Sequence, residues 1–159
     1  MRVYIAGYFD TRQRLQTPAN FLWRMGHEIV STWLQEVAKI PGMTYDEFYK
    51  KLAIKDIAEI NAADLIIVDT IDVTPRGGRE VELGYALGQH QRKLIYIVGP
   101  ERNVFHKLAD RRFDNWEECV AHMKTLIGST AAVNDATGAA TLAEAAKKTE
   151  ENGLAVHNT

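Results

Sequence analysis

The stretch that decides the fold is DLIIVD at residues 64–69, four consecutive aliphatics held between two aspartates. The run is too short for a helix and apolar at successive positions, so both of its faces are buried, as in a central strand of a parallel sheet. Downstream, a loop through Pro75, Gly77 and Gly78 leads to a helix expected from near Arg79 to about His90, and LIYIV (94–98) follows as the next buried strand. Upstream, VYIA (3–6) is a short first strand. Thr17-Pro18 supplies an N-cap and a first-turn proline for a helix ending near Gly26. Residues 27–33 are expected as a second strand, and the capping box Thr44-x-x-Glu47 opens a longer helix running towards Asn61. Asp114-x-x-Glu117 caps a final helix reaching Ile127. This alternation predicts an α/β fold, a parallel sheet of four to five strands with right-handed crossovers and helices on both faces. Ligands in such sheets sit beyond the carboxyl ends of the strands, which directs attention to residues 7–14, 70–82 and the segment from Gly99.

The chain has 159 residues and a formal charge of -2, enough for one domain and no reason to expect a polymeric nucleic-acid partner. No apolar run nears the roughly 20 residues of a membrane span. The opening MRVYIAG reads as a strand rather than a signal peptide, so a cytoplasmic protein is expected. Residues 128–159 differ from the rest: they hold no aromatic, Ile or Met, and they carry the whole net charge, leaving 1–127 formally neutral. So little side-chain area repays ordering poorly. We therefore expect a domain over 1–127 and an Ala/Thr-rich tail over 128–159, flexible or partly helical from the capping pattern Thr141/Glu144, or docked on a neighbouring subunit.

The common nucleotide motifs fail: the first strand is followed by GYFDTRQ, not GxGxxG, and no GxxxxGK[ST] occurs. His27, His90, His106, His122 and His157 are scattered without metal-site spacing, and Cys119 reads as a core residue rather than a nucleophile. The informative piece is RGGREVELGYALG (76–88). Gly77 and Gly78 permit a tight path from strand to helix. Glu80 and Glu82 then lie about 200° apart on that helix, so they cannot face one pocket. Glu80 reads as a complement to the helix dipole. Glu82 sits among apolar residues, and an inward carboxylate needs a partner or a function. A second acid, Asp56 in KDIAEINAADLIIVD, lies at the margin of an apolar face marked by Ile54, Ile57 and Ile60.

AGYFDTRQ, DIAEINAADLIIVD and GGREVELGYALGQHQRKLIYIV together resemble the nucleoside 2-deoxyribosyltransferases and the related 2'-deoxynucleoside 5'-monophosphate N-glycosidases, over residues 2–123. The resemblance implies a flavodoxin-like three-layer fold. It places Glu82 on the family's nucleophilic glutamate, which attacks C1' of deoxyribose, and Asp56 on its other essential acid. It also places Gly7, Tyr8 and Phe9 in the loop that shapes the base and sugar pocket. It implies a small-molecule substrate, no cofactor, and a homo-oligomer.

One position departs from the pattern. Transferases of this family usually carry an aspartate shortly before the nucleophile, contacting the 5'-hydroxyl; here Arg76 stands there, with Asp72 the nearest acid. A guanidinium suits phosphate oxygens better than a hydroxyl, and Arg79, Arg12 and Arg14 can add charge. That favours the monophosphate N-glycosidase, whereas AGYFDTRQ is closer to the transferases. The expectation is an enzyme cleaving the N-glycosidic bond of 2'-deoxynucleosides and transferring the sugar to another base. Its substrate-binding set is Gly7, Tyr8, Phe9, Asp72, Arg76, Gly78 and Arg79. The alternatives are the monophosphate hydrolase and a non-catalytic nucleotide-binding protein of the same fold.

Overall fold

β3 (Leu65–Asp69) is buried at all five positions and lies at the centre of a five-stranded parallel sheet ordered β2-β1-β3-β4-β5. The computed structural model describes residues 1–35, 41–73 and 77–126. The chain divides into two units, Met1–Ala121 and His122–Thr159, and the sheet lies wholly in the first. The 127/128 boundary expected from composition falls outside the described residues, as does the tail.

β1 (Arg2–Ala6) pairs with β3 from Val3↔Leu65 to Ala6↔Val68, and β4 (Leu94–Val98) pairs with the other edge of β3 from Leu65↔Leu94 to Asp69↔Val98. β5 (Arg111–Phe113) closes one side, and β2 (Glu28–Ile29) the other. This order makes the fold flavodoxin-like, with its switch point between β1 and β3. Every side chain of β3 and the last four of β1 and β4 are withdrawn from water, at about 1.5–3 kcal/mol for each large aliphatic.

Four expectations shift. The second strand is two residues long, not seven. It stops because Ser31 and Trp33 take over the next rung: Ser31 Oγ accepts from Ile5 N–H at 3.1 Å, and the Trp33 indole donates to Ile5 C=O at 2.8 Å. The chain can then turn into a 3-10 segment at Thr32–Gln35. The first helix, α1 (Arg12–Arg24), starts a turn and a half before the expected cap and carries Pro18 inside it. A preceding 3-10 turn at Phe9–Thr11, closed by Thr11 on Tyr8 C=O, already sets its direction, so Thr17 has no helix start to cap. α2 (Tyr45–Ala62) begins at the predicted capping box, with Glu47 N–H on Thr44 Oγ1 and Glu47 accepting from Thr44 N–H. The helix over 116–126 is capped one residue later than expected, by Asn115, whose Oδ1 accepts from Glu118 N–H while Glu118 accepts from Asp114 N–H. Finally, α3 (Gly78–Leu87) follows Gly77 and Gly78, neither of which has a left-handed φ, and a Cβ on either would meet nothing within 4 Å. The required glycines are elsewhere. At Gly7, a Cβ would lie 2.6 Å from Leu15; at Gly99, φ is +112° and a Cβ would lie 2.8 Å from Ile71 N.

Among the described residues no helix is long and apolar enough to cross a membrane. Cys119 is buried, as read, and burial pushes its thiol up to about 12.

Candidate active site

α2 and α3 bring two acids towards one tyrosine of β1. The Tyr4 hydroxyl donates to Glu82 Oε1 at 2.9 Å. Among the described residues, Glu82 Oε2 takes no hydrogen bond. The Tyr4 ring is fully buried, so its phenol has no water to donate to and the carboxylate is its partner. Burial pushes the Glu82 carboxyl up to about 7; the Tyr4 bond opposes this, and the charges of Asp56 and Glu59 add to it. Burial likewise raises Asp56 to about 6, with Glu59 adding and Lys55 opposing. Among the described residues, Asp56 Oδ1 is a buried oxygen with no hydrogen-bond partner. Burial and the neighbouring Glu82, Asp56 and Glu59 raise the Tyr4 phenol, which stays protonated and a donor. Two carboxyls with values close to neutrality, beside a fixed donor, present an acid and a carboxylate in one site over the same pH range.

The switch point is built around Asp69, which is fully buried at the end of β3. Arg14 of α1 grips its carboxylate with both terminal nitrogens, at 3.0 and 2.8 Å, and the Trp116 indole donates to it at 2.6 Å. A buried charge is tolerated only when paired and hydrogen-bonded in this way. Gly7 lies against it, with space for its backbone only.

A second network ties the loop after β4 to the start of α3. Arg79, buried, donates to the carbonyls of Asp69 at 3.1 Å and Asp72 at 2.9 Å. Arg102 donates to the carbonyls of Asp72 and Val73 at 2.8 and 3.0 Å. Glu80 Oε2 lies 2.8 Å from Asn103 Nδ2 and 3.1 Å from His106 Nε2. The Arg102 N–H donates to His106 Nδ1, so Nε2 carries the ring proton towards Glu80. Burial would raise Glu80, but the bonds from His106 and Asn103 hold it below the usual carboxylate range.

Of the predicted site residues, Glu82 and Asp56 share one electrostatic environment. Tyr8 donates to Asp10 at 2.5 Å, and Phe9 lies 6.5 Å from Trp33 with the Arg12 guanidinium 4.3 Å over its ring. Asp72 is half-buried and contributes its carbonyl; Gly78 is the exposed first residue of α3. Arg76 lies outside the described residues. Three residues were missed. Tyr4 looked like strand core, Glu59 like an ordinary helix acid, and His106 like one scattered histidine; only Tyr4 carried a signal, a hydroxyl within an otherwise aliphatic strand. The expectation that Glu80 only complements the helix dipole is replaced by its bonds to Asn103 and His106. A separate cleft of about 640 Å3 lies between α1 and the Thr32–Gln35 turn, lined by Trp23 and His27 among others; none of the predicted site residues lines it.

Neither a protein-family model nor a curated protein sequence matches the chain. Solved structures do. A 2-deoxyribosyltransferase from Bacillus psychrosaccharolyticus matches at 19% identity with a TM-score of 0.61, over 76% of this chain and 90% of that one. A conserved protein from Enterococcus faecalis V583 matches at 14% and 0.60, over 79% and 98%. A CMP N-glycosidase of Clostridium botulinum matches at 20% and 0.53, over 79% and 99%. At these identities the likeness is one of fold, and the resemblance read from the sequence is borne out at that level.

Proposed function

We propose that the protein cleaves the N-glycosidic bond of a 2'-deoxynucleoside and transfers the sugar to a second base. The observation that carries this reading is Glu82: a carboxylate raised by burial, gripped at one oxygen by Tyr4, its other oxygen taking no bond among the described residues, beside a second raised acid. In the proposed first step Glu82 Oε2 bonds to C1' as the C1'–N bond breaks, and the bonding pair leaves on the base nitrogen. Asp56 supplies the proton that neutralises it, the reactive form of the coupled pair being the one that carries its shared proton on Asp56 and leaves Glu82 ionised. In the second step the acceptor base loses a proton to Asp56 and attacks C1', and Glu82 departs as carboxylate. Two displacements retain configuration, and covalent trapping divides one difficult step into two easier ones. Tyr4 favours the ionised nucleophile. Gly7, Tyr8 and Phe9 are proposed to shape the base and sugar pocket, with residues 1–127 as the catalytic part.

The monophosphate reading requires a free cation. Among the described residues, Arg14 is paired with Asp69, Arg79 and Arg102 with backbone carbonyls, and Arg12 with Phe9, which favours a neutral deoxynucleoside over a monophosphate as far as these four cations go; Arg76 lies outside the described residues. Solved structures of both enzyme kinds share the fold, so resolution of the intermediate by water is the second reading.

The test is incubation with deoxynucleosides and a second free base, followed by chromatography for exchanged nucleoside, and by mass spectrometry for a deoxyribosyl adduct on Glu82. Glu82→Gln is expected to keep ligand binding and lose turnover by at least about a thousandfold, since the covalent route is closed. Absence of both exchange and base release from every common deoxynucleoside and its monophosphate would overturn the proposal.

A further inference from the structure

Glu59 stands one helical turn beyond Asp56 on α2, on the same side of the helix, where residues three apart are about 5–6 Å from each other. Both of its oxygens are held by one residue of another element. Thr32 N–H donates to Oε2 at 3.1 Å, and the Thr32 hydroxyl to Oε1 at 2.5 Å. Both donors come from one residue, so the clamp fixes where the carboxylate lies. Thr32 also opens the turn whose next residue, Trp33, donates to Ile5 C=O and lies 3.5 Å from where a Gly7 Cβ would stand. One carboxylate therefore joins α2, the turn after β2 and, through Trp33, the loop after β1.

We infer that Glu59 is a positioning residue for the proposed reaction: clamped by Thr32, it is a fixed anion that keeps a proton within the Tyr4–Glu82–Asp56 group for delivery to the departing base. This rests on the function proposed above only for its use, not for its electrostatics. The titratable groups facing the site are Tyr4 from β1, Glu82 from α3, and Asp56, Glu59 and Lys55 from α2. Glu59 acts in the same direction on Tyr4, Asp56 and Glu82, while Lys55 opposes it at Asp56. Its contribution is like-charge repulsion. A second negative charge at about 6 Å in a partly desolvated site holds a neighbouring carboxyl protonated to a pH higher by on the order of one unit. The pair Glu82 and Asp56 then shares one proton near neutrality, and the two steps of its titration belong to the pair.

The experiment compares the full chain with Glu59→Gln, which loses the charge, keeps one acceptor for the Thr32 N–H and offers its amide nitrogen to the Thr32 hydroxyl as a donor. Carboxyl carbon-13 shifts of Asp56 and Glu82 are followed against pH, alongside kcat/KM. Both titration midpoints are expected to fall, that of Asp56 more than that of Glu82, and the rate profile to move with them towards acid, so that activity above neutrality drops several-fold while activity near pH 5 rises. Thr32→Val, which frees the charge to swing into water, is expected to shift the midpoints the same way by less. Unmoved midpoints in Glu59→Gln overturn the inference, even if activity falls, because a purely structural role lowers the rate without moving a titration. A protein with no turnover of any substrate, but with midpoints that fall as stated, overturns the proposed function and leaves the Glu59 inference supported.

Discussion

At the scale of single residues, the Tyr4 hydroxyl is worth more than its place in an aliphatic strand suggests. It is the donor on Glu82, and a hydrogen bond to a charged group contributes about 1.5–3 kcal/mol. A donor to a carboxylate favours the ionised form, so Tyr4→Phe raises the Glu82 carboxyl further above its present value of about 7. The proposed nucleophile is the ionised form. The loss is therefore largest at low pH and smallest where Glu82 is fully ionised. We predict that Tyr4→Phe lowers kcat/KM by roughly 10- to 100-fold near neutrality and moves the acid limb of the rate profile upward. The phenyl ring keeps its packing, but Glu82 loses its donor, so stability falls by up to about 1.5–3 kcal/mol where Glu82 is ionised and by less where it is protonated. A uniformly reduced rate with an unmoved acid limb would separate Tyr4 from the ionisation of Glu82. The sequence pointed to Glu82 because a carboxylate flanked by Val81, Leu83 and Tyr85 is hard to explain as solvated charge. For Tyr4 the one sign was a hydroxyl in an otherwise aliphatic strand, and it was outweighed because an aromatic in a strand is ordinary core.

At the scale of elements, the strands were legible and the loops that carry the chemistry were not. β3 and β4 announce themselves by unbroken aliphatics, and α2 by a capping box that the structure reproduces. β2 was overextended because the rung that ends it depends on Ser31 and Trp33 reaching back to Ile5, a contact between residues 26 and 28 apart. The glycine pair before α3 drew attention as sequence, whereas the glycine under real constraint is Gly99. Its φ of +112° and a 2.8 Å approach of any Cβ to Ile71 N leave no room for a side chain against backbone. The same turn is stitched by Thr70 Oγ1 to Pro100 C=O at 2.8 Å and by Arg112 to Gly99 C=O at 2.9 Å. Gly99→Ala is expected to cost about 2–3 kcal/mol, since it combines a disfavoured backbone with an unrelievable contact. Because Arg102 and Asn103 follow directly and hold Asp72, Val73 and Glu80, the substitution should also raise KM. Denaturant unfolding and steady-state kinetics check the two parts separately. Gly77→Ala, with nothing within 4 Å of its Cβ, is the control expected to do neither.

For the whole molecule, the site should be a cost to stability with a definite pH signature. Asp56 and Glu82 have folded values of about 6 and about 7, above those of the unfolded chain. Between the unfolded and folded values the native state holds protons that the unfolded state has released. Stability from these two groups therefore falls as pH rises through that window, and the full penalty remains above it. His27 runs the other way: burial, and then the N-terminal ammonium, lower its value, so the native state resists a proton that the unfolded state accepts. Its stabilising share is present above about pH 6.5 and is lost as pH falls below that. Glu80 and Asp64, held low by their partners, add to the decline on the acid side. The expected result is a stability maximum on the mildly acidic side of neutrality. Replacing both acids with their amides, Asp56→Asn with Glu82→Gln, removes the alkaline penalty and leaves the acid side unchanged. With the shifts discounted for partial exposure and mutual coupling, the double variant should exceed the parent by on the order of 2 kcal/mol at about pH 8, some 4–8 °C in Tm. Near pH 3 the two should converge, because both acids are then largely protonated in either state. Thermal unfolding at the two pH values measures this directly. A parent as stable as the variant at pH 8 would mean that the carboxyls are solvated, and a solvated Glu82 is no longer the desolvated nucleophile on which the proposed chemistry depends.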